Sequence, residues 1–195
     1  MMINENNIYL KLIAILILII SLLYLKFKKK SSLTYMTLFL IFYVYMINVF
    51  KLTFLPIPID PRAIAAMKGD TVQFFYNLNY IPFRAFDKNM LLNIILLVPY
   101  GFFIRYLTHK GNILIHAVFW GLFFEATQIL ISFATNFNYR TIDIDDAIAN
   151  FLGVLLGYAI HLIFSVVSYK VLNKTLNKNS FLEHIFQVSK LTLRK

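Results

Sequence analysis

The chain has 195 residues, of which 59% are apolar and only 14% charged, against about 45–50% and about 25% in a soluble globular domain. With a mean hydropathy of +0.69, this composition excludes a soluble enzyme, a disordered chain and a fibrous one. The absence of cysteine excludes a disulfide scaffold, a thiol nucleophile and a Cys-ligated metal, and in a membrane chain a net charge of +10 reports topology and anionic headgroups rather than nucleic acid.

Crossing a hydrocarbon core of about 30 Å takes about 17–25 apolar residues, and five runs qualify: Ile8–Leu25, Leu33–Leu55, Leu91–Leu107, Ile113–Phe133 and Ala147–Tyr169. The expected fold is an all-α, polytopic transmembrane helix bundle. The first run lacks a basic leader and an A-x-A site and is followed directly by Lys26, Lys28, Lys29 and Lys30, so it reads as a span rather than a cleavable signal. The third carries Pro99 in its interior, which predicts a kink. Between the second and third runs lies a long loop, 56–90. Asp60-Pro61 reads there as an N-cap with a first-turn proline and Gly69 as a stop, predicting a short helix over 61–68.

Charge bias sets the expected orientation. With the amino terminus outside, segments 26–32, 105–112 and the tail from Lys170 lie inside and hold twelve Lys/Arg against one carboxylate, Glu183. The outer segments then hold seven of each sign. The positive-inside rule therefore predicts amino terminus out and carboxyl terminus in. The chain divides into a five-span membrane domain, 1–170, and a basic amphipathic cytoplasmic tail, 171–195. In that tail Ser180-Phe-Leu-Glu183 has capping-box spacing ahead of an amphipathic stretch suited to lying on the anionic inner leaflet.

Polar residues inside these runs stand out, because a centrally placed carboxylate costs about 2.5–3.5 kcal/mol on the insertion scale. Gly121, Glu125, Gln128 and Ser132 fall on one narrow helical face of the fourth run. Asp143, Asp146, Asn150, Gly153 and Gly157 share a second stripe running into the fifth, with Asp145 off it. Gly153-x-x-x-Gly157, extended upward by Ala149, is a close-packing face for another helix. At 1.5 Å per residue, Asn93, Asn150, Gln128 and Glu125 lie roughly 3, 5, 8 and 12 Å below the outer ends of their runs. Three of the five runs thus bring polar groups to one half of the membrane.

These residues carry a resemblance. Asn79-Tyr-Ile-Pro82-Phe83, Asn93-Ile-Ile-Leu-Leu-Val-Pro99-Tyr-Gly101, Glu125-x-x-Gln128 and Arg140-x-x-Asp143-x-x-Asp146-x-x-x-Asn150-x-x-Gly153 resemble the VanZ-like family of small bacterial membrane proteins. The likeness spans about residues 79–157. It implies a multi-pass protein of the bacterial cell membrane, linked to tolerance of lipid-tailed glycopeptide antibiotics such as teicoplanin, and so a phenotype rather than a reaction.

Two functional readings follow. In one, an outer-leaflet polar pocket binds or modifies a membrane lipid or cell-envelope intermediate with an anionic headgroup. Arg140 would clamp phosphate or carboxylate through its planar fork, with Asn93, Gln128 and Asn150 as further ligand contacts. Glu125, Asp143 and Asp146 would form a general acid/base set with Arg140 as electrostatic partner, or with Asn150 would offer oxygen ligands to Mg²⁺ or Ca²⁺. In the other, Arg140 ties the loop to the start of the fifth span, the aspartates suit a helix amino terminus, and Glu125 and Gln128 hold spans together; function would then lie in partner contacts. His109, His116, His161 and His184 are scattered without HExxH spacing and no Gly-rich phosphate loop occurs, so zinc, nucleotide and haem are not indicated.

Overall fold

The computed structural model describes residues 2–4, 6–68, 78–83, 88–108, 111–135, 137, 140–175 and 178–194. Gly69 and the loop segments 69–77 and 84–87 lie outside the described residues. Five helices are long and apolar enough to cross a membrane, as the runs predict. α1 (Ile8–Leu23) starts where the Asn7 side chain accepts from the amides of Tyr9 and Leu10, and ends in a single π turn, Tyr24–Lys28. α2 (Leu33–Phe54) is capped by Ser32. The short α3 (Pro61–Lys68) follows Asp60, whose side chain accepts from the Arg62 amide at 2.9 Å.

α4 (Lys88–Leu107), α5 (Ile113–Thr135) and α6 (Ile144–Asn173) complete the spans. α6 is longer than its apolar run because Asp143 starts it earlier and its polar last turns continue the helix. α4 runs unbroken through Pro99, and the Tyr45 hydroxyl donates to the Leu96 carbonyl at 2.6 Å, three residues before that proline. Two pairs of short strands lie where the amino terminus, the end of α2 and the start of α6 meet. β1 (Met2–Ile3) pairs antiparallel with β2 (Ile57–Pro58). β3 (Leu78–Asn79) pairs parallel with β4 (Ile142–Asp143), placing Asn79 opposite Asp143.

The core lies between α2, α4, α5 and α6, around Val49, Leu97, Tyr100, Trp120, Phe124 and Val154. α4 and α6 run parallel, backbone against backbone: a Cβ at Gly153 would strike the Ile94 carbonyl, one at Gly157 the Val98 carbonyl, and one at Gly101 the Val154 carbonyl. The small-residue face of the fifth span is thus filled by α4 of the same chain. α5 meets α6 at Gly121, where a Cβ would stand 3.0 Å from the Ala147 carbonyl oxygen and 3.3 Å from Phe151 Cβ. α1 stands apart, with no buried residue, and is tied to α2 where Tyr43 donates to the Ala14 carbonyl at 2.7 Å.

The tail forms α7 (Ser180–Leu193). Its cap is Asn179, one residue before the capping-box position, and accepts from the Leu182 amide at 2.8 Å. Ser180 instead bonds Thr34 on α2 at 2.8 Å. α7 then runs back along α6, with Phe186 stacked on Tyr169, Thr192 bonded to His161, and Val188 and Ser189 buried. The side expected to meet a leaflet is partly taken by the bundle.

Candidate functional site

Because Gly121 abuts Ala147 and Phe151, Glu125, one turn further along α5, stands level with the start of α6. The end of α5 at Thr135 lies ten residues beyond Glu125, about 15 Å at 1.5 Å per residue. The fifth span therefore begins well short of the end of the fourth, and the polar segment before it is set into the bundle. Glu125 is 8% exposed and faces this segment rather than lipid. Its Oε2 accepts from the Asp143 amide at 3.2 Å, and it lies within electrostatic reach of Asp146, Asp143 and Arg140.

Asp143 is extended (φ −131°, ψ 123°) and caps α6, accepting through Oδ1 from the Asp145 amide at 2.8 Å. It does not belong to the helical stripe on which the sequence spacing sets it, because an N-cap residue stands outside the helix and turns its side chain back over the first amides. The same Oδ1 accepts from Asn79 Nδ2 at 2.8 Å. Asn79 Oδ1 in turn accepts from the Ile81 amide. This lattice explains why Asn79 precedes a turn: a short amide side chain can close both the local loop and the contact to β4.

Asp145, off that stripe, is the most buried carboxylate of this segment at 4% exposed. Its Oδ1 accepts from the Phe83 amide at 2.6 Å, and Phe83 takes a positive φ of 60°. Once Asp143 is recognised as the cap, Asp145 falls in the first helical turn, where a carboxylate complements the helix dipole. The adjacent Asp-x-Asp-Asp run is the signal that would have found it.

Arg140 and Gln128 converge on the end of α2. Arg140 Nη2 donates to the carbonyls of Leu52 and Leu55 at 3.1 and 2.9 Å, and Gln128 Nε2 donates to the Thr53 carbonyl at 3.3 Å. A helix leaves its last carbonyls unpaired, and a cation at that end also complements the dipole. Two motif side chains thus finish a helix far away in sequence, which no local pattern reveals.

Asp146 is half-buried in the first turn of α6, and Asn93 is half-buried in the first turns of α4. Asn150, 3% exposed, keeps its Oδ1 without a hydrogen-bond partner. Glu125 and Asp143 are brought into direct contact, whereas the hydrogen bonds of Arg140 Nη2 and Gln128 Nε2 go to α2. Among the described residues no group of three His, Asp or Glu side chains is arranged to hold a metal ion. The arrangement is rich in acceptors: Glu125 Oε2, Asp143 Oδ1 and Asp145 Oδ1 each take a backbone amide, and Asn150 Oδ1 keeps no hydrogen-bond partner.

A family model described as VanZ/LLP1 matches residues 42–165, more than half of the chain, taking in the whole of this constellation but not α1 or the tail. No curated protein and no solved structure matches the chain. With five helices able to cross a bilayer and a match across four of them, the chain is a multi-pass membrane protein that belongs to the VanZ/LLP1 family.

Proposed function

We propose that the protein acts in the bacterial cell membrane, with its amino terminus outside and its carboxyl terminus in the cytoplasm. Its Glu125 site then opens to the exterior and binds or modifies a cell-envelope lipid or surface molecule, in support of tolerance to teicoplanin-type antibiotics. One observation carries this reading: Glu125 is buried in a span yet makes a contact to the Asp143 amide that a neutral glutamine would make equally well. A carboxylate costing about 2.5–3.5 kcal/mol in that setting is there for more than one neutral bond. The Glu125 carboxyl and the unpartnered Asn150 oxygen favour a group rich in donors, an ammonium or a set of hydroxyls, at this point of the ligand.

Glu125→Gln tests the proposal directly. In cells that depend on the protein for teicoplanin tolerance, the variant is expected at normal abundance in the membrane but without tolerance. Tolerance at the parental level would overturn the reading. Incubating the purified protein with envelope lipids, with and without Mg²⁺, separates the two forms of it: a mass change in the lipid marks an enzyme, and retention without change a binder. For orientation, a reporter fused after Lys195 should register as cytoplasmic.

A second reading has its own support. Arg140, Gln128, Asp143 and Asp145 all bond backbone groups, which is what a motif that only stabilises the bundle would do. In that case Glu125→Gln would leave the phenotype intact, and function would reside in contacts with partner proteins.

A further inference from the structure

At the end of the bundle opposite Glu125, a cavity of about 390 Å³ opens between the first two spans, within the 300–1,000 Å³ typical of small-molecule sites. Ile20, Leu25 and Phe39 give it apolar walls, while Ser21, Tyr24 and Lys29 bring polar groups to it. The groove lies between the Tyr43 bond to Ala14, which ties the two helices further up, and the π turn Tyr24–Lys28 that ends the first span. π turns inside or at the end of helices are frequent at functional sites.

The mouth is a built loop. The Lys29 amide donates to the Tyr24 carbonyl at 3.1 Å and the Ser31 amide to the Leu25 carbonyl at 3.0 Å. Lys30 holds a left-handed φ of 49°, uncommon for a residue with a Cβ. This loop presents Lys26, Lys28, Lys29 and Lys30, and no Asp or Glu occurs anywhere between residues 6 and 59. The Tyr35 hydroxyl is already given to the Leu107 carbonyl, so Lys29, Tyr24 and Ser21 are the groups left to meet a headgroup.

We infer that this groove is a binding site for one anionic phospholipid, its phosphate at Lys29 and an acyl chain between Leu25 and Phe39. Apolar walls leading up to a concentrated positive charge match that amphiphile better than a soluble anion.

The test uses the purified full chain in detergent, offered equal amounts of a phosphatidylglycerol and a phosphatidylcholine with identical acyl chains, and read by native mass spectrometry. One phosphatidylglycerol per chain is expected, retained about fivefold over phosphatidylcholine, the scale of one lysine near an anionic headgroup. Lys29→Gln, at an exposed position, should cut that preference to within about twofold, whereas Lys190→Gln on α7 should leave it intact. Ser21→Phe, which fills the groove, should expel the lipid with every lysine in place. Equal retention of the two lipids, or a preference unchanged by Lys29→Gln, would overturn the proposal. A lipid-free dimer, meaning that a second copy covers the groove, would do the same.

Discussion

The Glu125 carboxylate accepts the amide hydrogen of Asp143 at 3.2 Å, joining the middle of the fourth span to the cap of the fifth. The bond needs an oxygen, not a charge. Glu125→Gln should therefore leave thermal stability in detergent within about 1 kcal/mol of the parent, or raise it, since a buried ionisable group is removed while the acceptor stays. Glu125→Ala leaves a buried amide unpaired and should cost about 1–3 kcal/mol. A Glu125→Gln protein as unstable as Glu125→Ala would show that the charge itself holds the fold.

Arg140 closes the end of α2 through the carbonyls of Leu52 and Leu55. Removing the guanidinium in Arg140→Ala should cost about 1.5–3 kcal/mol, the range for hydrogen bonds to charged groups. The effect should be local: hydrogen exchange at the Leu55 amide, which closes the last turn on the Lys51 carbonyl, should accelerate, with the Tyr35 amide at the other end unchanged. Arg140→Lys keeps the charge and loses the planar fork, so it should fall between the two. Equal exchange at Leu55 in all three proteins would remove Arg140 from this role.

The α4–α6 seam makes a ranking. Gly157→Ala drives a Cβ into the Val98 carbonyl, backbone that cannot step aside, while Gly121→Ala meets the Ala147 carbonyl oxygen only at 3.0 Å. Overpacking of this kind costs about 1–3 kcal/mol, more where the neighbour is rigid. Thermal unfolding in detergent should thus place Gly157→Ala well below Gly121→Ala. The reverse order would mean that the two helices do not pass at Gly157.

Much of this architecture is readable from the sequence, for identifiable reasons. The five spans follow from hydropathy, which is additive along the chain. The 61–68 helix follows from Asp60-Pro61, a purely local signal, and the seam follows from glycine spacing. What the sequence does not show are partners chosen by the tertiary fold. Asp143 fits a helical stripe as well as it fits a cap, and only the structure shows it extended and Asp145 turned to Phe83. Arg140 reads from sequence either as a clamp for an anion or as a tie from the loop to the start of the fifth span, and neither reading names the α2 carbonyls, 88 and 85 residues away, that its Nη2 meets. Amphipathicity in 180–193 serves a leaflet or a neighbouring helix alike, so the docking of α7 was not legible.

That docking is the most direct geometric claim to test, and a chain without native cysteine suits it. Thr34 and Ser180 meet at 2.8 Å between short side chains, so Thr34→Cys with Ser180→Cys should form a disulfide on mild oxidation. This contact pins only the start of α7 and would survive in a helix lying flat on the membrane. Tyr169 and Phe186 discriminate, because their rings stack at 5.6 Å only if α7 turns back along α6. A Tyr169→Cys, Phe186→Cys protein should be joined by a short bifunctional maleimide. Val188, 2% exposed and packed with Leu38 of α2 and Tyr106 of α4, should cost about 1–3 kcal/mol when cut to alanine. A disulfide at 34–180 without cross-linking at 169–186, and a silent Val188→Ala, would return α7 to the leaflet surface.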